Sequence, residues 1–149
     1  MVVNVRSDSD DFIARALSNF PRYPFEIDGE DFGSPEGFIQ GIKHPEGSIN
    51  RILGTILSGV EAKRLGKTAE GKFVWWQRRQ IVYGSDEHHC LIARAIIAKF
   101  EQNPSAMNAL LATEGEEITH DLGKPEDPNT SLPAALFCKI LTEIREAYK

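Results

Sequence analysis

The chain has 149 residues, 41% hydrophobic and 26% charged, with 17 Lys and Arg against 22 Asp and Glu for a formal charge of −5. This is the size and composition of one globular domain, which excludes intrinsic disorder, a collagen-like chain and a two-domain enzyme. The acidic balance opposes non-specific binding to phosphate backbones, which needs clustered Lys and Arg, so any nucleic-acid partner is engaged locally.

Residues 1–16 form a polar segment, with Asp8, Asp10 and Asp11 beside Ser7 and Ser9, expected frayed or lightly docked ahead of a domain over 17–149. Pro24-Phe25-Glu26-Ile27 alternates apolar and polar, and Asp28-Gly29 before Glu30-Asp31-Phe32 predicts a two-residue hairpin turn with positive φ. Ser34-Pro35-Glu36 then opens a helix to about Lys43: Ser34 caps, Pro35 suits the first helical position, and Glu36 complements the dipole. After Ser48, the spacing of Ile49, Ile52, Leu53, Ile56, Leu57 and Val60 predicts a second helix that anchors the core and closes on Gly66 as a left-handed cap. Between Gly71 and Gly84 the β-branched and aromatic run favours strand, with a short helix as the alternative. Helices are expected after Ser85 as far as Phe100, from Asn103-Pro104 through Leu111, and from Pro133 through Ile144. Thr113 to Ser131, with two glycines and two prolines, reads as a long loop of the kind that carries function. The fold class is α+β: a single, mostly helical domain with a small strand component.

Glu36, Gln40 and Lys43 stand at i, i+4 and i+7 and so share one face of the first strong helix, within a sector of roughly 60°. Gly37 and Gly41 lie together where something can approach the backbone; each costs about 1 kcal/mol relative to Ala, which argues for a packing or binding reason. The pattern alone also describes a solvated face, and it does not choose. Asn19 sits in a turn-like segment where its amide holds either a ligand or its own backbone. Trp75 and Trp76 with Arg78 and Arg79 offer π-faces and guanidinium groups suited to a base and a phosphate, or else one core Trp and surface charge. His120 and Asp121 supply acid/base candidates on the late loop.

His88-His89-Cys90 spreads adjacent side chains about 100° apart on a helix, so no metal is expected. Walker and dinucleotide-binding patterns are absent, and no cofactor is expected. Cys90 and Cys138 read as reduced, half-buried thiols, which favours a cytoplasmic address. No apolar run reaches about 18 residues, so neither secretion nor membrane spanning is expected.

Taken together, Leu17-Ser18-Asn19-Phe20, Pro24-Phe25-Glu26-Ile27-Asp28-Gly29 and the segment from Ser34 to Lys43 closely resemble the opening of the NADAR family, the YbiA-like proteins. Glu61-Ala62-Lys63-Arg64-Leu65-Gly66 and Lys99-Phe100-Glu101-Gln102-Asn103-Pro104 extend the resemblance to nearly the whole chain. Departures are Glu36-Gly37 where many relatives have Glu-His, and Ile118-Thr119-His120-Asp121-Leu122-Gly123 where they carry Asp-x-x-Trp-Gly.

The resemblance implies a hydrolase that cleaves the N-glycosidic bond at ribose C1. Its substrate would be ADP-ribosylated guanine in a nucleotide, DNA or RNA, with phosphoribosylamino intermediates of riboflavin synthesis as the alternative. It implies Glu36 and Lys43 as catalytic groups, with Asp121 assisting proton transfer. Asn19, Phe20, Gln40, Trp76, Arg78 and His120 would hold the substrate. Rival readings are a module that binds ADP-ribose without turnover and an interaction protein using Trp75 to Arg79; oligomeric state stays open.

Overall fold

A computed structural model describes all 149 residues. In chain order the elements are β1 (Val2–Asn4), α1 (Phe12–Leu17), β2 (Phe25–Ile27), β3 (Glu30–Phe32), α2 (Pro35–Gly41), α3 (Ile49–Gly54), α4 (Gly59–Gly66), β4 (Phe73–Trp76), β5 (Arg79–Val82), α5 (Asp86–Gln102), α6 (Pro104–Leu111), β6 (Glu117–Thr119) and α7 (Ala134–Tyr148). The strands pair only in twos: β2 with β3 and β4 with β5 antiparallel, and β1 with β6 parallel. Helices supply most of the core, so the domain is mostly helical with a small strand component, as expected.

The first hairpin turns on Asp28 and Gly29 at φ 51° and 82°, the positive values a two-residue turn demands. Phe25, Phe32 and Phe38 then form an aromatic cluster with Trp76, edge to face between Phe32 and Phe38 at 5.0 Å. α2 begins as the sequence predicts, with the Ser34 hydroxyl accepting from Gly37 N at 3.0 Å and Pro35 in the first turn. Lys99 has no exposed surface; its ammonium donates to Ala16 O and Ser18 O at 2.7 Å each, tying α5 to the end of α1 and to the loop that carries Asn19. Burial pulls Lys99 down to about 7.

Several expectations are corrected. Residues 1–16 are built into the domain: Val3 and Val5 are buried, Val2–Asn4 pair with Glu117–Thr119, and α1 begins at Phe12. The late segment is accordingly not all loop, because it contributes β6. The helix after Ser48 is two, broken between Gly54 and Gly59, and Ile49, Ile52, Ile56 and Val60 are 53–76% exposed rather than anchoring the core. The reason lies in α3, which approaches α2 backbone-first: a Cβ on Gly54 would come 2.6 Å from Gly41 Cα and 2.8 Å from Gly37 O. The inward face is therefore Gly54 and Arg51, whose guanidinium reaches Trp75 O at 3.0 Å and Glu30 at 3.2 Å over the Trp76 ring. Cys90 is exposed, Cys138 half-buried, and both are free. No helix is long and apolar enough to cross a membrane.

Candidate active site

α2 is buried along its whole length and Lys43, two residues past its end, is half-buried, so the Glu36–Gln40–Lys43 stripe is not a solvated face. Glu36 is 8% exposed and Gln40 7%. The glycines explain how polar side chains come to be enclosed: Gly37 and Gly41 admit the backbone of α3 on one side of α2, and Gly66 admits Gln40 on the other. Gly66 is not the left-handed cap expected of it, since the chain stays right-handed through Lys67. A Cβ there would overlap the Gln40 amide oxygen and stand 3.3 Å from Lys43 Nζ, which places the ends of Gln40 and Lys43 against one spot on α4.

Within this enclosure Gln40 Nε2 donates to Glu36 Oε1 at 3.3 Å, and Glu36 N donates to Asn19 O at 3.0 Å. Burial pushes the Glu36 carboxyl above its ordinary range; the Gln40 hydrogen bond and the charges of Lys43 and Lys63 oppose that rise. Burial pushes Lys43 below the usual lysine range, against the pull of Glu36 and Asp127. The acid and the amine are thus both driven toward their neutral forms while each lies in the other's field. The side-chain oxygens of Asn19 and Gln40 are buried with no hydrogen-bond partner. Orphaned buried acceptors of this kind cost roughly 1–3 kcal/mol each, which a ligand's hydroxyl or amide protons would recover.

Lys43 Nζ lies over the Tyr83 ring at 5.7 Å, and the Tyr83 hydroxyl donates to Asn129 O at 2.7 Å. The late segment therefore closes on the stripe through Asp127, Asn129 and Ser131 rather than through His120 and Asp121. Burial raises the Tyr83 phenol; Asp127 adds to the rise and a hydrogen bond with Ser131 opposes it.

The remaining sequence candidates are dispersed. His120 Nδ1 bonds Val5 O at 2.7 Å and the ring meets Phe137 edge-on, while Asp121 is bracketed by Asn4 and Gly123. Both thus serve the β1–β6 seam, and their contacts include none of the Glu36 cluster. Trp76 is a core residue, 5% exposed, with Nε1 donating to Asp28 at 2.8 Å, so it has no free face for a base. Trp75 is half-buried on the other face of β4. Arg78 occupies the exposed tip of the second hairpin at φ 65°, its backbone N–H donating to Glu46. Phe20 lines a surface depression of about 510 Å³ with Phe12, Tyr23 and Val60, which includes none of Glu36, Gln40 or Lys43.

Sequence reasoning missed Tyr83 and His88. The signal for His88 was its spacing, three, four and seven residues before Leu91, Ile92 and Ala95 on the buried face of α5. Its Nδ1 accepts from Gly84 N at 2.9 Å, and burial, with the neighbouring His89 and Lys43 adding, holds it down at about 4. Between about 4 and the unfolded value of about 6.5, the unfolded chain binds a proton that the folded chain refuses, so stability rises with pH across this window. Urea unfolding is expected to show stability falling by roughly 3 kcal/mol from this group as pH drops from 6.5 to below 4. His88→Asn should lose that part of the slope; an identical slope in the variant would reject it.

Comparisons with known proteins agree with this architecture. The solution structure of Escherichia coli YbiA superposes with a TM-score of 0.70 at 21% identity, covering 99% of this chain and 84% of YbiA. A protein of Enterobacteria phage T4, described as an uncharacterized 17.1 kDa protein in the Gp30–rIII intergenic region, is 32% identical over 140 residues, 89% of this chain and 90% of its own. Bacteriophage protein GP30.3 is the family whose pattern matches residues 11–146. By that match, and by a relative aligned over nine-tenths of its length, the chain belongs to the bacteriophage protein GP30.3 family.

Proposed function

We propose that this protein is a cytoplasmic N-glycosidase of the NADAR type that hydrolyses the bond between ribose C1 and a base nitrogen, releasing ADP-ribose from ADP-ribosylated guanine in nucleic acid or nucleotides. The observation that carries the reading is a buried carboxyl on α2 and a half-buried amine just past its end, each desolvated toward its neutral form within the other's field. The YbiA-like fold and the resemblance of the Asn19, Glu36, Gln40 and Lys43 segments support it.

A neutral Glu36 carboxyl gives its proton to the ribose ring oxygen, opening the ring as C1 becomes electrophilic. The Lys43 amine adds to C1, and the base leaves with a proton drawn from Nζ, so that a C1–Nζ imine replaces the C1–base bond. Water adds to the protonated imine and frees the amine and the sugar aldehyde, the released proton returns to the Glu36 carboxylate, and the aldehyde closes again to ribose. Asn19 and Gln40, with unpartnered oxygens, accept from ribose hydroxyls.

The test is incubation with DNA carrying ADP-ribose on guanine: free ADP-ribose should accumulate, and its absence over hours at micromolar enzyme would overturn the proposal. Gly66→Ala gives a second reading of the site. The added methyl displaces the ends of Gln40 and Lys43, both flexible, while the helix gains up to about 1 kcal/mol from losing a glycine. Release should fall about tenfold or more with the unfolding midpoint within roughly 3 °C of wild type. Full activity in Gly66→Ala would remove Gln40 from the site.

A further inference from the structure

We propose that His88 is a ligand-binding residue of this site, its Nε2–H donating to an oxygen of the ribose phosphate portion of the substrate at the Lys43 end of the enclosure. The inference rests on the reading of the site as one for a ribose-bearing nucleotide. The ring geometry fixes the donor: Nδ1 accepts from Gly84 N at 2.9 Å, so in the neutral ring the proton sits on Nε2, on the side away from Gly84. Nε2 is buried without a partner, and the residue has no exposed surface.

The surroundings connect His88 to Lys43 through Tyr83. The His88 ring packs against Tyr83 at 5.1 Å and His89 at 5.8 Å, and Tyr83 is the ring over which Lys43 lies. The protein's unpaired polar atoms then divide by chemistry. Asn19 Oδ1 and Gln40 Oε1 only accept, and they match hydroxyl protons. His88 Nε2–H donates and matches an oxygen lone pair. A sugar phosphate carries both kinds of group. Held neutral, His88 acts as a fixed hydrogen-bond donor and moves no proton.

The two side-chain amides separate the ring's structural bond from its ligand bond. His88→Asn keeps an acceptor for Gly84 N and lacks a group at the Nε2 position; His88→Gln carries an N–H there. Calorimetric titration of the wild type and both variants with ADP-ribose and with ribose 5-phosphate is the experiment. The expected result is binding about tenfold weaker in His88→Asn, restored to within about threefold in His88→Gln, with the lower unfolding midpoint of the two at pH 7.5 in His88→Gln, which leaves Gly84 N without its acceptor. Inorganic phosphate forms a third arm: a matching loss assigns the oxygen to phosphate, and no loss assigns it to the sugar. Wild-type affinity in His88→Asn, or an equal loss in both variants, overturns the role of His88 while leaving the function standing. Failure of the wild type to bind either sugar probe at millimolar concentration overturns the function and His88 together.

Discussion

Lys43→Ala is expected to abolish release of ADP-ribose from guanine-modified DNA, by at least about 10³-fold in turnover, because the variant has no amine to replace the departing base at C1. Folding should survive the change: Lys43 is only partly buried and makes no ion pair, its amine lying over the Tyr83 ring. A second measurement ties the loss to bond formation. Borohydride added during turnover should reduce the imine and leave a stable adduct whose mass is that of the sugar fragment, located on Lys43 by peptide mapping. An adduct on another lysine, or undiminished release by Lys43→Ala, would remove this amine from the chemistry. Glu36→Gln should slow formation of the same adduct, since the amide cannot give up a proton to the ring oxygen.

The largest loss of stability is expected from Gly37→Ala. A methyl at Gly37 would collide with Gly54 O and come 2.6 Å from Leu57 O. Both obstacles are backbone, unlike the mobile amide that confronts a methyl at Gly66, so relief requires α2 and α3 to separate. About 3 kcal/mol is the expected penalty, or a fall of roughly 6–12 °C in the unfolding midpoint. An unchanged midpoint would mean that the helices are not in backbone contact in solution.

Much of this site was legible from α2 alone. The i, i+4, i+7 spacing of Glu36, Gln40 and Lys43 put three polar side chains on one side, and the two glycines announced a close backbone approach, which Gly54 provides. Other parts depend on facts a single chain does not carry. Ile49, Ile52, Ile56 and Val60 have a spacing suited to burial, yet Gly54 between them turns the opposite side of α3 inward. Either Trp75 or Trp76 satisfies strand alternation, and only the partnering of Val74 with Ile81 under α2 and α5 selects Trp76 for the core. Asp127 and Asp121 look alike in a polar segment; the turn that Asp127 makes with Asn129 and Thr130, under the Tyr83 hydroxyl, separates them. The Gly84–Ser85 junction concealed His88, because a histidine beside another histidine and a cysteine suggests metal before it suggests a fixed tautomer.

The parallel pairing of residues 2–4 with residues 117–119 governs when the protein can finish folding during its synthesis. The first strand leaves the ribosome with nothing to pair with until more than a hundred further residues have followed, at roughly 5–20 residues per second. α7, which packs on β6, arrives later still. Nascent chains therefore carry an unmatched strand edge for several seconds, and in that interval a chaperone or a neighbouring polysome-bound copy competes with the correct pairing.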